Sequence, residues 1–152
     1  MTHAELAKQN FESGCNCAQA VLLAFSDKTG LDDATAMKLA ASFGGGMGKL
    51  REVCGAVSAI FMAAGMIYAD DHVPTLESKA DHYKKIQTLA ARFKEENGSY
   101  LCRDLLEGVP VSKDAAPEER TEQYYKKRPC GELCAIAAQI LDDYLAQEAQ
   151  GE

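Results

Sequence analysis

The chain has no tryptophan, only four prolines and three histidines among 152 residues, and no excess of basic charge. With 16 Lys+Arg against 23 Asp+Glu the formal net charge is -7. That balance excludes a basic surface for non-specific binding to nucleic acid or to anionic membrane. No run of alternating β-branched residues marks a strand, and no internal repeat stands out. The N-terminus carries Glu5, Lys8 and Glu12 and has no apolar core of a secretory signal, so a cytoplasmic location is expected. C-x-x-C, C-x-x-C-H and zinc-finger spacings are all missing, which removes the thioredoxin-like, covalent-haem and zinc-finger readings.

What is present is 47% hydrophobic residues, 26% charged residues and six cysteines. Such a composition suits one globular domain spanning residues 1–152. Helical signals dominate and predict an all-α, single-domain bundle of six to seven helices. Ala4–Ser13 reads as a helix ended by Gly14. Asn16 caps a second helix running to about Lys28, and Asp32 or Asp33 caps a third ending near Ser42. A buried helix is expected from about Glu52 to Ala69. Its uncharged stretch Val53–Ala69 is crowded with small residues and sits at the short edge of what a bilayer needs, so it reads as a core helix and not as a span. Thr75 caps a helix over Leu76–Asn97, and Ser99 a short one carrying Cys102. The polar stretch 108–119, with Pro110 and Pro117, reads as a surface loop. Thr121–Lys127 is ambiguous. A last helix starts near Pro129 and ends near Ala149.

In a reducing compartment six cysteines do not form a structural disulfide framework. Four of them fall in the first turn of a different predicted helix: Cys17, Cys54, Cys102 and Cys130. A helix N-terminus presents unpaired N–H groups and partial positive charge, which stabilise a thiolate. Cations lie nearby in the chain: Lys49 and Arg51 before Cys54, Arg103 after Cys102, Lys127 and Arg128 before Cys130. Lowered thiol pKa values are therefore expected at these positions. The thiolate is both nucleophile and metal ligand, so the same four residues suit thiol catalysis or a metal centre.

Cys15 and Cys17 form a C-x-C pair, and Cys130 and Cys134 share one helix face. Cys15 and Cys134 are thus the additional ligands of a metal reading, with core packing as the other role for Cys134. The run Gly44-Gly45-Gly46-Met47-Gly48 does not fit a P-loop, because Gly48-Lys49 is followed by Leu50 and the first-glycine position holds Phe43. It reads instead as a tight loop whose N–H groups approach the cysteine site and hold an anion or a cluster sulfide, which makes Gly44, Gly45, Gly46 and Gly48 the candidate cofactor-binding residues. The plain alternative is a helix connection. His3, His72 and His82 read as solvated side chains and not as ligands.

At these residues the chain resembles the redox-active protein family named C_GCAxxG_C_C for its cysteine pattern. The resemblance rests on Asn16-Cys17-Ala18-Gln19-Ala20-Val21, on Phe43-Gly44-Gly45-Gly46-Met47-Gly48 followed by Cys54-Gly55-Ala56, on Phe93, Gly98 and Ser99 ahead of Cys102-Arg103-Asp104-Leu105-Leu106, and on Cys130 opening the last helix. It implies four key cysteines at Cys17, Cys54, Cys102 and Cys130. The chain departs from the pattern at Ala59, where the second glycine of the CGAxxG element would stand.

Three functions are consistent with these residues. The first is thiol/disulfide electron transfer, with Cys54 as nucleophile and Cys17 or Cys130 resolving. In the second, the same four thiolates hold an iron–sulfur cluster or another soft metal. The third is a helical interaction protein with inert thiols. The expected partner is a redox protein or small molecule, without nucleic acid or membrane insertion. A homo-oligomer stays open.

Overall fold

The computed structural model describes residues 1–112 and 114–151; Lys113, within the expected 108–119 loop, Glu152 and the side chain of Lys127 lie outside the described residues. Among those described there are nine α-helices and one 3-10 turn, in an all-α fold. The helices are α1 (His3–Glu12), α2 (Cys17–Ala24), α3 (Ser26–Thr29), α4 (Asp33–Ala40), α5 (Gly55–Tyr68), α6 (Leu76–Asn97), α7 (Cys102–Leu105), α8 (Glu122–Lys127) and α9 (Cys130–Ala149). The count exceeds the six to seven expected because several are a single turn long. The helix expected from Cys17 to Lys28 breaks at Phe25, which caps both α2 and α3.

Capping explains most boundaries. Thr2, Asn16, Asp32, Thr75 and Thr121 each accept a backbone N–H three residues on, which satisfies one of the orphan donors of the first turn. Asn16 adds a reciprocal bond, its own N–H donating to Gln19 Oε1 at 3.1 Å. Gly98, at φ 88°, ends α6 in the left-handed region that a side chain disfavours.

The core lies where α2 and α5 cross, flanked by α1 and α9, with α6 laid over α5 and α9. Phe25, Leu22, Val57, Ile60, Leu89, Phe93 and Leu141 are fully buried there. The apolar helix α5 is a core helix of 14 residues, and among the described residues no helix is long and apolar enough to cross a membrane. Ala59, where the motif would have glycine, is fully buried in α5.

α5 begins three residues later than expected because 52–54 is extended. Val53 forms an isolated antiparallel bridge with Leu101. Cys54 N–H donates to the Tyr100 carbonyl at 2.8 Å, and Cys102 N–H to that of Glu52 at 2.6 Å. This clip fixes the starts of α5 and α7 beside each other, and with them Cys54 and Cys102.

His3 is not a solvated side chain. Its Nδ1 lies 2.8 Å from Asp142 and its Nε2 2.8 Å from Asp27, and its ring stacks on Phe25 at 4.2 Å. Burial pulls the imidazole pKa down, but the bonds to the two aspartates outweigh it and raise it above 6.5. The residue ties α1 to α3 and α9. His72 sits in an exposed loop beside Asp71, at 3.1 Å. His82 keeps a buried Nδ1 with no partner among the described residues.

Candidate functional site

Cys17, Cys102 and Cys130 are the first residues of α2, α7 and α9, and Cys54 caps α5. These four helix starts converge. All four cysteines line one cavity of about 430 Å³, together with Gly44, Gly45 and Gly48 of the glycine run. Cys15 and Cys134 are not among its lining residues. Cys134 is fully buried, its thiol pointing to the Cys17 carbonyl at 3.7 Å. None of the six is in a disulfide.

The glycines are explained by the cysteines they touch. A Cβ on Gly55 would overlap Cys17 Sγ and come within 2.7 Å of the Phe43 carbonyl oxygen. One on Gly46 would lie 2.6 Å from Cys102 Cβ, and one on Gly44 2.6 Å from Asn16 Cβ, at the cap that starts the Cys17 helix. Only hydrogen at these positions lets the loop close over the sulfurs.

The loop itself is left-handed. Gly45, Gly46, Met47, Gly48 and Lys49 run consecutively at φ between 58° and 72°, and Arg51 follows at 60°. The three non-glycine members each cost roughly 1–2 kcal/mol, so the surrounding contacts must hold the loop in place. Its N–H groups turn inward: Met47, Lys49, Arg51 and Glu52 donate to the carbonyls of Phe43, Gly44, Gly45 and Gly46. The Gly45 N–H favours negative charge on Cys17. The loop thus serves the protein's own sulfur.

The expectation of lowered thiol pKa values fails at three of the four positions. Burial pushes the Cys17 thiol up, although the N–H groups of Gly45, Ala18 and Gly55 pull against it. Cys54, 6% exposed, is raised well above the ordinary value, again by burial first and by Cys17 second. Cys130 is pushed up to about 12 by burial and then by Cys17, with Arg128 opposing. Helix N-terminal N–H groups do act on Cys17 and Cys54, but removal of water outweighs them. These thiols rest protonated.

Sequence adjacency placed Arg128 correctly, since it pulls on the Cys130 thiol, but it gave Arg51 to Cys54, whereas the side chain reaches Cys102. Arg51 is 4% exposed, its Nε donates to the Ser112 carbonyl at 3.1 Å, and its Nη1 reaches Cys102 Sγ at 3.5 Å. Lys49 goes to the Ala116 carbonyl at 2.5 Å and to Asp114 at 3.5 Å. Arg103 pairs with Glu52 at 3.0 Å. Arg128 pairs with Glu118 and lies over the Tyr124 ring at 4.9 Å.

Reading along the chain missed Arg120 and Tyr124. Arg120 donates to the carbonyls of Phe11 and Cys15, each at 3.0 Å, and lies 4.4 Å from the Phe11 ring centre. Both residues line the cavity, as do Ala115, Pro117 and Glu118. The described residues of 108–119 are irregular and largely exposed, and Ala115, Pro117 and Glu118 form one wall of the cavity. Nothing in its composition pointed to that.

The family model described as "Putative redox-active protein (C_GCAxxG_C_C)" matches residues 15–144. The chain belongs to this family. The matched range contains Cys17, Cys54, Cys102 and Cys130 and all of the cavity lining except Phe11. No curated protein and no solved structure gives a match.

The metal reading can be tested against the donor set. Among the described residues no group of three or more Cys, His, Asp or Glu side chains is placed to hold a metal ion. The four cysteines line one cavity, but as placed they do not fit a mononuclear soft-metal site.

Proposed function

We propose that the protein carries out thiol/disulfide exchange in this cavity, with Cys102 as the attacking sulfur and Cys17 or Cys130 resolving. The observation that carries the reading is the Arg51 guanidinium. It is 4% exposed, has no carboxylate partner among the described residues, and lies 3.5 Å from Cys102 Sγ. A buried guanidinium within hydrogen-bond reach of a sulfur stabilises negative charge as it develops there. Cys54, the nucleophile expected from sequence, has no such neighbour and is strongly held in the thiol form.

The chemistry balances within the site. The Cys102 thiolate attacks one sulfur of a disulfide RSSR. A protein–substrate S–S bond forms, the substrate S–S bond breaks, and RS⁻ leaves to take a proton. A second cysteine then attacks Cys102 Sγ, expels the second RSH and closes a protein disulfide. Two protein thiols are oxidised and one disulfide is reduced to two thiols; the reverse direction uses the same atoms. Cys17 and Cys130 are the resolving candidates because each lies within electrostatic reach of Cys102. The protonated resting state of the resolving thiols keeps them from competing for the first attack.

The test is a free-thiol count on anaerobically purified protein equilibrated across dithiothreitol redox buffers, with iron and zinc measured on the same sample. The proposal expects two thiols lost and recovered reversibly, without stoichiometric metal. Six thiols that never change under oxidising buffer would favour an inert helical protein. Stoichiometric iron or zinc would restore the metal reading.

A further inference from the structure

We infer that the cavity binds small organic anions, and that the molecule exchanging thiols there carries carboxylate groups. The inference rests on the exchange reading above for its chemistry, but on different observations for its substrate class.

The first observation is a reversal of charge. The protein as a whole carries -7. The described lining of the cavity nevertheless holds Lys49, Arg51, Arg120 and Arg128 against the single carboxylate of Glu118. Glu118 is already paired with Arg128, and Lys49 leans on Asp114. Arg51 and Arg120 have no carboxylate within 4.0 Å among the described residues. Arg120 is oriented by two carbonyls and by the faces of Phe11 and Tyr124, at 4.4 and 5.0 Å. Carbonyls and rings position a guanidinium; they do not neutralise it.

The second observation is size and surroundings. A cavity of about 430 Å³ matches a small metabolite and is far larger than one inorganic oxyanion. Between the cations its wall is apolar, with Leu105, Leu133 and Phe11. Charges set in such a wall act through a low dielectric, so they attract an anion strongly and exclude a cation. Guanidinium groups suit carboxylates in particular, through paired parallel hydrogen bonds. The sulfur of Cys102 and the N–H-lined Cys17 lie at the same cavity, so a ligand held by its carboxylates would lay its own sulfur among the cysteines.

The test uses three symmetric disulfides of nearly equal length: 3,3′-dithiodipropionate, a dianion; bis(2-hydroxyethyl) disulfide, neutral; and cystamine, a dication. Reduced full-length protein is mixed with each under anaerobic conditions, and oxidation is followed by acid quench and mass spectrometry. The dianion should react about tenfold or more faster than the dication, and added salt should shrink the ratio. A simple dithiol in solution should show the opposite order, because its attacking sulfur is itself anionic. Arg120→Met and Lys49→Gln should each reduce the preference several-fold, with helix content checked by circular dichroism. Suberate, which places its carboxylates at a similar separation without sulfur, should slow alkylation of the cavity cysteines.

The outcomes separate the two claims. Oxidation by all three disulfides in the solution order, with no protection by suberate, overturns the anion site and leaves thiol exchange standing. Protection by suberate that Arg120→Met abolishes, with no oxidation by any disulfide, supports the anion site and removes the exchange reading. Preference for the dianion that survives both substitutions and high salt also overturns the inference, since the cations would then not be its source.

Discussion

Replacing Gly55 by alanine should destabilise the protein by about 2–3 kcal/mol, although Gly55 opens a helix and alanine is the better helix former. The added Cβ would overlap Cys17 Sγ, approach the Phe43 carbonyl oxygen to 2.7 Å and the Ala18 nitrogen to 3.1 Å. Two of those three atoms are backbone, so a rotamer change cannot relieve the clash. Overpacking of this kind costs roughly 1–3 kcal/mol, and disturbing the Gly55 N–H that faces Cys17 adds about 1 kcal/mol. The propensity gain that offsets this is at most about 1 kcal/mol, and smaller at a first-turn position. Gly65 supplies the control within the same helix. A Cβ there meets nothing within 4 Å, so Gly65→Ala should stabilise by about 0.5–1 kcal/mol. The assay is urea unfolding in reductant, read by far-ultraviolet circular dichroism. A double-mutant cycle locates the cause. In a Cys17→Ala background, Gly55→Ala should cost at least about 1 kcal/mol less, because the nearest obstructing atom is gone. The residual cost reports the Phe43 carbonyl. Equal stability of Gly55→Ala and wild type, or an unchanged cost in the Cys17→Ala background, would refute the claim that this glycine exists to admit the sulfur.

Arg51→Met should slow iodoacetamide alkylation of Cys102 by about tenfold or more, measured by peptide mapping, while Cys15, whose carbonyl is held by Arg120, keeps its rate. Thiols raised by burial make the native state hold protons that the unfolded chain releases. Their contribution is full below the ordinary thiol value near 9.0 and is lost as pH rises toward about 12, so urea midpoints should fall through that alkaline window. The His3 imidazole has a folded pKa above 6.5. Its contribution is full below 6.5 and is lost as pH rises through the folded value. His3→Gln should therefore lose about 1–3 kcal/mol at acid pH and less at pH 8. Ala59→Gly, which restores the glycine of the motif, should lose about 1 kcal/mol by urea unfolding, since Ala59 lies inside α5.

The helices were legible because their signals are local. Asn16, Thr75 and Gly98 mark boundaries by their own chemistry, and the structure places caps at all three. The four cysteines at helix starts were legible for the same reason. Their environment was not. The distance from Arg51 to Cys102 Sγ is set by the Val53–Leu101 bridge, which joins segments some fifty residues apart. Adjacency in the chain therefore assigned Arg51 to the wrong sulfur. Thiol pKa values failed for a related reason: the helix N-terminal effect can be read from position, but the opposing burial depends on how α1, α2, α5 and α9 close around the site. The wall from Ala115 to Arg128 carried no mark of its role: its first part reads as loop and Thr121–Lys127 is ambiguous in sequence, and only tertiary placement brings Arg120 and Tyr124 to the cavity.

The most direct test of the account is the disulfide map of protein oxidised by one equivalent of disulfide and then alkylated at low pH. The account predicts a single intramolecular bond joining Cys102 to Cys17 or Cys130, with Cys15 and Cys134 recovered as free thiols. A bond that excludes Cys102, or one that engages Cys15 or Cys134, would contradict it.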